Sequence, residues 1–546
     1  MQPELDPFAI SEAFADLNAA WRHDPDACQR SCSALTQAML SAGEKVLAFL
    51  RSNSPDGAAD CQQALLQWVR NLAWSGQQYH QALSDWMTGY IENAPALDPA
   101  TRTRALFWMR QIAGMLAPGN FFWANPKAVQ RFIESRGESL NHGLDNWLED
   151  QQTHRGLVNL ADRTKFEVGR NLATTPGHVV FRNHLMELIQ YSAQTDTVWQ
   201  VPIVLIQPWI NKYYIFDLSA QNSFVAYLVR QGFSVFITSW KNPGPDMRET
   251  TFEDYLRHGA LPAVTVASRI CASAGVHAAG YCIGGTLLAV LLGWLAAQDS
   301  EASIADATLF ATLLDFSDPG DLGSIIHPSS VEAIEQLAAA KGVLEAHHIA
   351  TAFRLLNPDD LIWRYVVNNY FFGEPPPRSD MLFWNSDGTN LPQAMCTQFL
   401  RWFYLENRLT RPNELIMDGH GIDLGEVRLP LYVVGSAKDH ICPWPSTFKT
   451  CRLVGGKVRY VLADEGHITG IVNPASPWSR KQYWAGPATR RRNESRWLEK
   501  LTPNKGSWWP DWVAWLTPRS GERVPPPAPS SAYPPLAPAP GTYVCE

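Results

Sequence analysis

The sequence predicts an α/β chain: a parallel sheet with helical crossovers, preceded by a helical domain and interrupted by a helical insertion. Three observations carry this. Gly280-Tyr281-Cys282-Ile283-Gly284-Gly285 has the Gly-x-nucleophile-x-Gly form of a sharp strand-to-helix elbow, with cysteine as the nucleophile. From about residue 196, strand-length apolar runs alternate with helical patterns. Before about residue 160, apolar residues recur at helical spacing and strand signals are few.

Taken in order, residues 1–160 read as a helical N-terminal domain, as in the pattern Cys61-Gln62-Gln63-Ala64-Leu65-Leu66-Gln67-Trp68-Val69. Residues 161–518 read as the catalytic domain. Val201 to Ile206 and Ser234 to Thr238 are strand patterns, with a helix from Ser223 to Val229 that closes at Gly232. Gly275 to Ala279 leads as a strand into the elbow, and Thr286 to Leu295 leaves it as a helix buried on most faces. An elbow needs small residues beside the nucleophile, because the turn is too tight for larger ones. Ala307 to Leu313 is a further strand pattern, as are Leu431 to Gly435 and Lys457 to Leu462. Between them, at about 323–428, the alternation stops in a helical, aromatic segment that reads as an inserted cap over the site. The cap is expected to cover Cys282 at rest and to rearrange for substrate, coupled to self-association. Residues 519–546 are proline-rich and predict an extended tail.

The candidate chemistry is nucleophilic catalysis. An α/β-hydrolase triad comes in the order nucleophile, acid, histidine, each just past a strand. Cys282, Asp439 and His467 stand in that order and in that context. A structural cysteine in a chance turn competes for the motif alone, but not for all three positions together. Asp315 is a rival acid after its own strand, Asp464 lies too near His467 in sequence, and His440 adjoins Asp439. The backbone N–H of Ile283 is a candidate oxyanion donor, and the turn at Trp209-Ile210 is a candidate for the second, at Ile210. The other eight cysteines have no metal-ligand spacing; Cys28 and Cys32 are helically spaced without a matching pair, so no metal is expected.

Composition excludes several classes. A net charge of −8 leaves no basic footprint for nucleic acid, and Arg490-Arg491-Arg492 is an isolated cluster. The longest apolar run, Leu287 to Ala297, is too short to span a bilayer, so no transmembrane segment is expected. Nine scattered cysteines and no signal-peptide pattern predict reduced thiols in the cytoplasm. Four of the 22 tryptophans fall within Trp508 to Trp515, a density that suits either a core or an apolar partner.

Several segments together resemble the polyhydroxyalkanoate (poly-3-hydroxybutyrate) synthases. They are Val168-Gly169-Arg170-Asn171-Leu172-Ala173-Thr174-Thr175-Pro176-Gly177, Gln207-Pro208-Trp209-Ile210-Asn211-Lys212-Tyr213-Tyr214 and Tyr281-Cys282-Ile283-Gly284-Gly285-Thr286. Leu313-Leu314-Asp315-Phe316-Ser317-Asp318-Pro319-Gly320 and Trp384-Asn385-Ser386-Asp387-Gly388-Thr389 follow. Asp439-His440-Ile441-Cys442-Pro443-Trp444 and Gly466-His467-Ile468-Thr469-Gly470 complete the set. The resemblance runs from about 160 to 518, and residues 1–160 carry much less of it. Ala539-Pro540-Gly541-Thr542-Tyr543-Val544 is similar to the tail of the single-subunit, short-chain (class I-like) type. Cys442 departs from the aliphatic or small residue more usual there.

The resemblance implies an acyltransferase that links (R)-3-hydroxyacyl units from CoA thioesters, 3-hydroxybutyryl-CoA first, into polyester with release of CoA. Cys282 would carry the acyl group as a thioester, and His467 would take its proton. Asp439 would orient His467 or help deprotonate the 3-hydroxyl. CoA is then substrate and product, and no separate cofactor is implied. The growing polyester, a homodimer and granule-associated proteins are the implied partners, with polyester granules in the cytoplasm as the location. An acyl-CoA thioesterase on the same fold, which would release free acid, is the alternative. A noncatalytic scaffold is disfavoured by the complete set of three residues.

Overall fold

The computed structural model describes residues 10–53, 61–298, 304–528 and 531–546. These fall into two compact units, one of residues 1–162 with 350–379, the other of 163–349 with 380–546.

The first unit is helical. Ile10–Arg22, Pro25–Ser52, Cys61–Glu92, Pro99–Met115, Pro126–Glu134 and Glu138–Thr153 are its helices. Three begin with the same local signal. Asp24, Asp98 and Asn125 each precede a proline and accept hydrogen bonds from the free N–H groups of the first turn. Proline at that position gives up an N–H that had no partner within the helix. Residues 350–379 of the expected cap belong to this unit. Tyr370 Oη donates to Asp150 Oδ2 at 2.7 Å, and Arg354 donates to the Val158 carbonyl at 2.8 Å. At Gly143 an added Cβ would lie 1.8 Å from the Tyr370 carbonyl oxygen, so the helix and that segment meet backbone to backbone.

The second unit is built on one sheet. In chain order its strands are β1 Gly177–Arg182, β2 Met186–Tyr191, β3 Ile203–Ile206, β4 Val235–Trp240, β5 Val276–Tyr281 and β6 Ile304–Phe310. The remainder are β7 Leu431–Ser436, β8 Val458–Ala463, β9 Gln482–Ala488, β10 Asn504–Lys505 and β11 Ala537–Pro538. The spatial order is β10-β9-β8-β7-β6-β5-β3-β4-β2-β1-β11. Strands β4, β3, β5, β6, β7 and β8 are mutually parallel. Phe224–Arg230, Leu261–Ile270 and Ile283–Ala297 are crossover helices between them. Burial on both faces explains why β5 and β7 read as continuous runs without alternation, since every residue of each is buried. This is the α/β-hydrolase arrangement expected from the alternation and the elbow.

The strand order reverses at β3 and β5, which are neighbours although β4 lies between them in the chain. Loops leaving two adjacent strands at such a point diverge and open a crevice at the carboxyl edge. Ile206 is level with Gly280, Tyr281 with Phe310, and Ser436 with Ala463. That register brings the ends of β3, β5, β7 and β8 to one edge.

Trp508, Trp509 and Trp512 are buried, which decides between core and partner surface for these three. Each ring nitrogen has an acceptor, at Gly470 O (2.8 Å), Ile471 O (3.0 Å) and Thr308 Oγ1 (2.9 Å). Buried indoles need such partners.

The proline-rich tail is extended, and it is also docked. β11 pairs with β1 at the sheet edge, where the missing proline N–H costs no ladder bond to a further strand. Glu187 is wholly buried and holds the tail. It accepts from Thr542 N at 2.9 Å, Thr542 Oγ1 at 2.9 Å, Tyr543 N at 3.1 Å and Arg182 Nε at 2.8 Å. Lys212 Nζ in turn donates to the carbonyls of Tyr543 and Glu546. Glu187→Ala leaves three tail donors without their acceptor, each at a cost of about 1–3 kcal/mol. Hydrogen exchange across residues 537–545 is expected to rise at least about tenfold, roughly 1.4 kcal/mol. Unchanged exchange there would mean that the tail is held by other contacts.

Candidate active site

Cys282 sits at the turn between β5 and the helix Ile283–Ala297 with φ 52° and ψ −124°, a backbone state that non-glycine residues rarely adopt. Its surroundings enforce it. A Cβ on Gly280 would come within 2.5 Å of Gly285 Cα, and one on Gly284 within 2.5 Å of the Ile206 carbonyl oxygen. One on Gly285 would lie 2.0 Å from Thr312 Oγ1. The glycines are therefore required by close packing of the turn against β3 and the loop after β6. Gly284→Ala pushes on backbone at both contacts and has no side chain to displace. A stability loss on the order of 3 kcal/mol or more is expected. Thermal melting reads this, and a melting point within a degree of the parent would contradict it.

The three expected residues come together. His467 Nδ1 hydrogen-bonds Asp439 Oδ2 at 2.7 Å. The Cys282 sulfur, the Cys442 sulfur and a ring nitrogen of His467 lie within 4.8 Å of one another. Since Nδ1 is engaged by Asp439, Nε2 is the nitrogen left to face the thiols. Asp439 is buried, and its Oδ1 accepts from the amides of Ile441 (2.9 Å) and Cys442 (2.8 Å). The rival carboxylates are engaged elsewhere. Asp315 accepts from Ser317 N and Asn407 Nδ2 and pairs with Lys449 at 3.5 Å. Asp464 accepts from Gln482 N. The His440 carbonyl accepts from Asp321 N, a backbone role.

The electrostatics favour an ion pair. A hydrogen bond from the Cys442 thiol is the largest influence on Cys282; burial opposes it and the His467 imidazolium reinforces it. The result holds the Cys282 thiol well below its ordinary range. Cys442 is driven the other way, by that same contact and by burial, and stays a neutral thiol. Burial alone would push His467 down, but the Asp439 carboxylate and the Cys282 thiolate outweigh it and raise it well above the usual value. An imidazolium beside a thiolate is the form in which a cysteine attacks.

Packing explains how the loops are held. The Tyr281 ring stacks on His467 with centroids 5.4 Å apart. Trp508 and Trp509 donate to Gly470 and Ile471, just past His467, and so brace its loop from below. Sequence reasoning saw those tryptophans only as a dense cluster. Residues 384–389 hold the loop after β3. Trp384 Nε1 donates to Lys212 O at 2.6 Å, Thr389 N to Ile210 O at 2.8 Å, and Thr389 Oγ1 to Trp209 O. Ile283 follows Cys282 directly, and Gly284 packs against the backbone of Ile206 and Gln207, just before Ile210 in the loop after β3. From the insertion, Phe399 and Phe403 join the core cluster that Cys282 touches. Tyr404 is raised well above its ordinary range, by burial first and further by the Cys442–Cys282 pair. Cys282 itself remains partly exposed.

The chain is similar to known proteins along most of its length. A family model described as "Poly-beta-hydroxybutyrate polymerase (PhaC) N-terminus" matches residues 63–228. The poly(3-hydroxyalkanoate) polymerase of Methylorubrum extorquens is 38% identical over 544 residues, 98% of this chain and 89% of its own length. Poly(3-hydroxyalkanoate) polymerase 2 of Ectopseudomonas oleovorans is 40% identical over 482 residues, 87% of this chain and 85% of its own. The Cupriavidus necator polymerase subunit PhaC is 38% identical over 484 residues, 87% and 81% of the two chains. The similarity therefore extends into the N-terminal helices, further than the motifs alone reach. Among the described residues no helix is long and apolar enough to cross a membrane. With a relative this similar along nearly its whole length, the chain belongs to the poly(3-hydroxyalkanoate) polymerase family of acyltransferases.

Proposed function

We propose that this chain polymerises (R)-3-hydroxyacyl units, 3-hydroxybutyryl first, from CoA thioesters into polyester through a thioester on Cys282. The observation that carries the reading is a cysteine at the elbow with its thiol held as thiolate beside the Asp439-bound imidazolium of His467.

The chemistry balances with those residues alone. The Cys282 thiolate attacks the thioester carbonyl, and the charge passes to the oxygen. The backbone N–H groups of Ile283 and Ile210 are the proposed donors to it. The C–S bond to CoA then breaks, and the imidazolium of His467 gives its proton to the leaving CoA thiolate. One thioester has replaced another, so the acyl group keeps its activation; a serine ester would have lost it. In elongation the 3-hydroxyl of a second thioester gives its proton to neutral His467 and attacks the Cys282-bound carbonyl. An ester forms and the Cys282 thiolate leaves, free to take the lengthened chain back from its CoA thioester. Water competes with that hydroxyl, so the aromatic cover from Phe399, Phe403 and Tyr404 serves chain length. A homodimer, polyester granules in the cytoplasm and granule-associated proteins belong to the same reading.

Both Asp439 oxygens are engaged, one by two backbone amides and the other by His467, which supports an orienting role. Asn at this position turns a donor toward Nδ1 and selects the wrong tautomer, an error that costs a serine triad about 10⁴-fold. Asp439→Asn is expected to slow acylation and elongation by similar factors, on the order of 10²–10⁴. Single-turnover acylation and steady-state polymerisation separate the two. A loss confined to elongation would transfer Asp439 to the 3-hydroxyl.

Incubation with 3-hydroxybutyryl-CoA tests the whole reading. Turbidity rising with CoA release is expected. Free 3-hydroxybutyrate in a clear solution would make the chain a thioesterase, and no CoA release would remove the reading.

A further inference from the structure

Cys442 takes no bond-making part in the steps above, yet it is 4% exposed and placed with care. Its amide donates to Asp439 Oδ1 at 2.8 Å, while Asp439 Oδ2 holds His467 Nδ1 at 2.7 Å. One carboxylate thus fixes both loops. Opposite them, Cys282 is fixed by an elbow with no room for a side chain on Gly280, Gly284 or Gly285. The two sulfurs and the imidazole nitrogen fall within 4.8 Å of one another.

Two thiols and an imidazole are a soft donor set, of the kind that suits zinc. A tetrahedral zinc ion holds sulfur at about 2.3 Å and nitrogen at about 2.0–2.1 Å, so its donors stand roughly 3.5–3.8 Å apart. Closing the present triangle, whose edges are within 4.8 Å, to that size needs at most about 1.3 Å of movement along any edge. The outer shell is already in place. A metal-bound imidazole almost always gives its other N–H to a carboxylate, as His467 gives Nδ1–H to Asp439. Cys282 and His467 are partly exposed, which leaves a path of entry and an open fourth position.

We propose that Cys282, Cys442 and His467 form a three-donor site for a soft divalent cation of the zinc type, and that its occupancy withholds Cys282 from acyl transfer. Binding displaces two protons to solvent, one from the Cys442 thiol and one from Nε2 of the His467 imidazolium, and places both sulfurs and Nε2 on the ion. Apart from those two protons no covalent bond changes and nothing is oxidised, so removal of the ion lets them return and restores the thiolate–imidazolium pair. The metal here is an inhibitor, and the acyl-transfer steps run without it.

Cobalt(II) is the probe, because thiolate ligation gives it a near-ultraviolet charge-transfer band that oxygen and nitrogen ligands do not. The full-length chain is stripped of metal, kept anaerobic with a phosphine reductant and titrated with cobalt, then with zinc in competition. One equivalent is expected to bind, with a sulfur charge-transfer band and the visible bands of a tetrahedral ion. Zinc should remove the spectrum, and CoA release should fall with occupancy and return on chelation. Cys442→Val is expected to weaken both ions at least about a hundredfold, since losing even an outer-shell partner costs about 10–100-fold. Cys442→Ser carries the same expectation should the valine variant fail to fold. Equal affinity in parent and variant, a cobalt spectrum without sulfur bands, or inhibition that a thiol reductant reverses and a chelator does not would each overturn the proposal. The last would mean oxidation of the cysteine pair. The spectral result stands whether or not the chain makes polymer.

Discussion

Cys282→Ala is expected to abolish CoA release from 3-hydroxybutyryl-CoA while leaving the fold intact. Removing a nucleophile that acts as a unit with its base costs a comparable enzyme on the order of 10⁶-fold, and a loss of at least about 10³ is the expectation here. The fold should survive because the side chain is partly exposed at the turn, and alanine adds no atom to the contacts around Gly280, Gly284 and Gly285. Alanine also accepts the positive φ at least as readily as cysteine. The checks are CoA release by thiol reagent and a melting curve matching the parent. Folded variant with appreciable turnover would remove Cys282 from the chemistry. Cys282→Ser should be nearly as damaged, since a hydroxyl at this site is far harder to ionise than a thiol and the ester it forms is less reactive.

His467→Gln should show its largest effect in two measurements that move together. The imidazolium is one of the groups that holds the Cys282 thiol ionised. With an ordinary pKa near 8.5 a cysteine is only about 3% thiolate at pH 7, so alkylation at that pH is expected to slow by up to roughly thirtyfold. Turnover should fall much further, on the order of 10³-fold or more, because proton transfer to CoA and from the 3-hydroxyl is lost as well. Glutamine also loses the stacking of the Tyr281 ring and the bond to Asp439. Alkylation at the parent rate would mean that Cys442 alone holds the thiolate.

Some of this molecule was legible from residue order because the determining contacts are local. A turn that demands glycine on both sides of a nucleophile announces itself within six residues, and its clashes with Ile206 and Thr312 give the reason. Strand β7, buried on both faces, reads as an unbroken apolar run from Leu431 to Val434. The order Cys282, Asp439, His467 followed from strand ends, which parallel register then brings to one edge.

What remained belongs to tertiary structure, because it depends on pairs of residues whose separation in the chain carries no signal. Nothing local places Cys442 beside Cys282, 160 positions away, and their spacing carries no metal-ligand signal. Segment 350–379 reads like the rest of the insertion, yet its backbone carbonyls and Tyr370 find their partners on the N-terminal helices. Trp508 and Trp509 become braces for the His467 loop only because Gly470 and Ile471 present carbonyls that need donors. Prolines predicted an extended tail, but only a buried carboxylate, Glu187, with three donors of the tail around it, decides that the tail lies along the sheet edge. Local sequence selects backbone conformation, whereas buried polar groups must find partners wherever the packed chain supplies them.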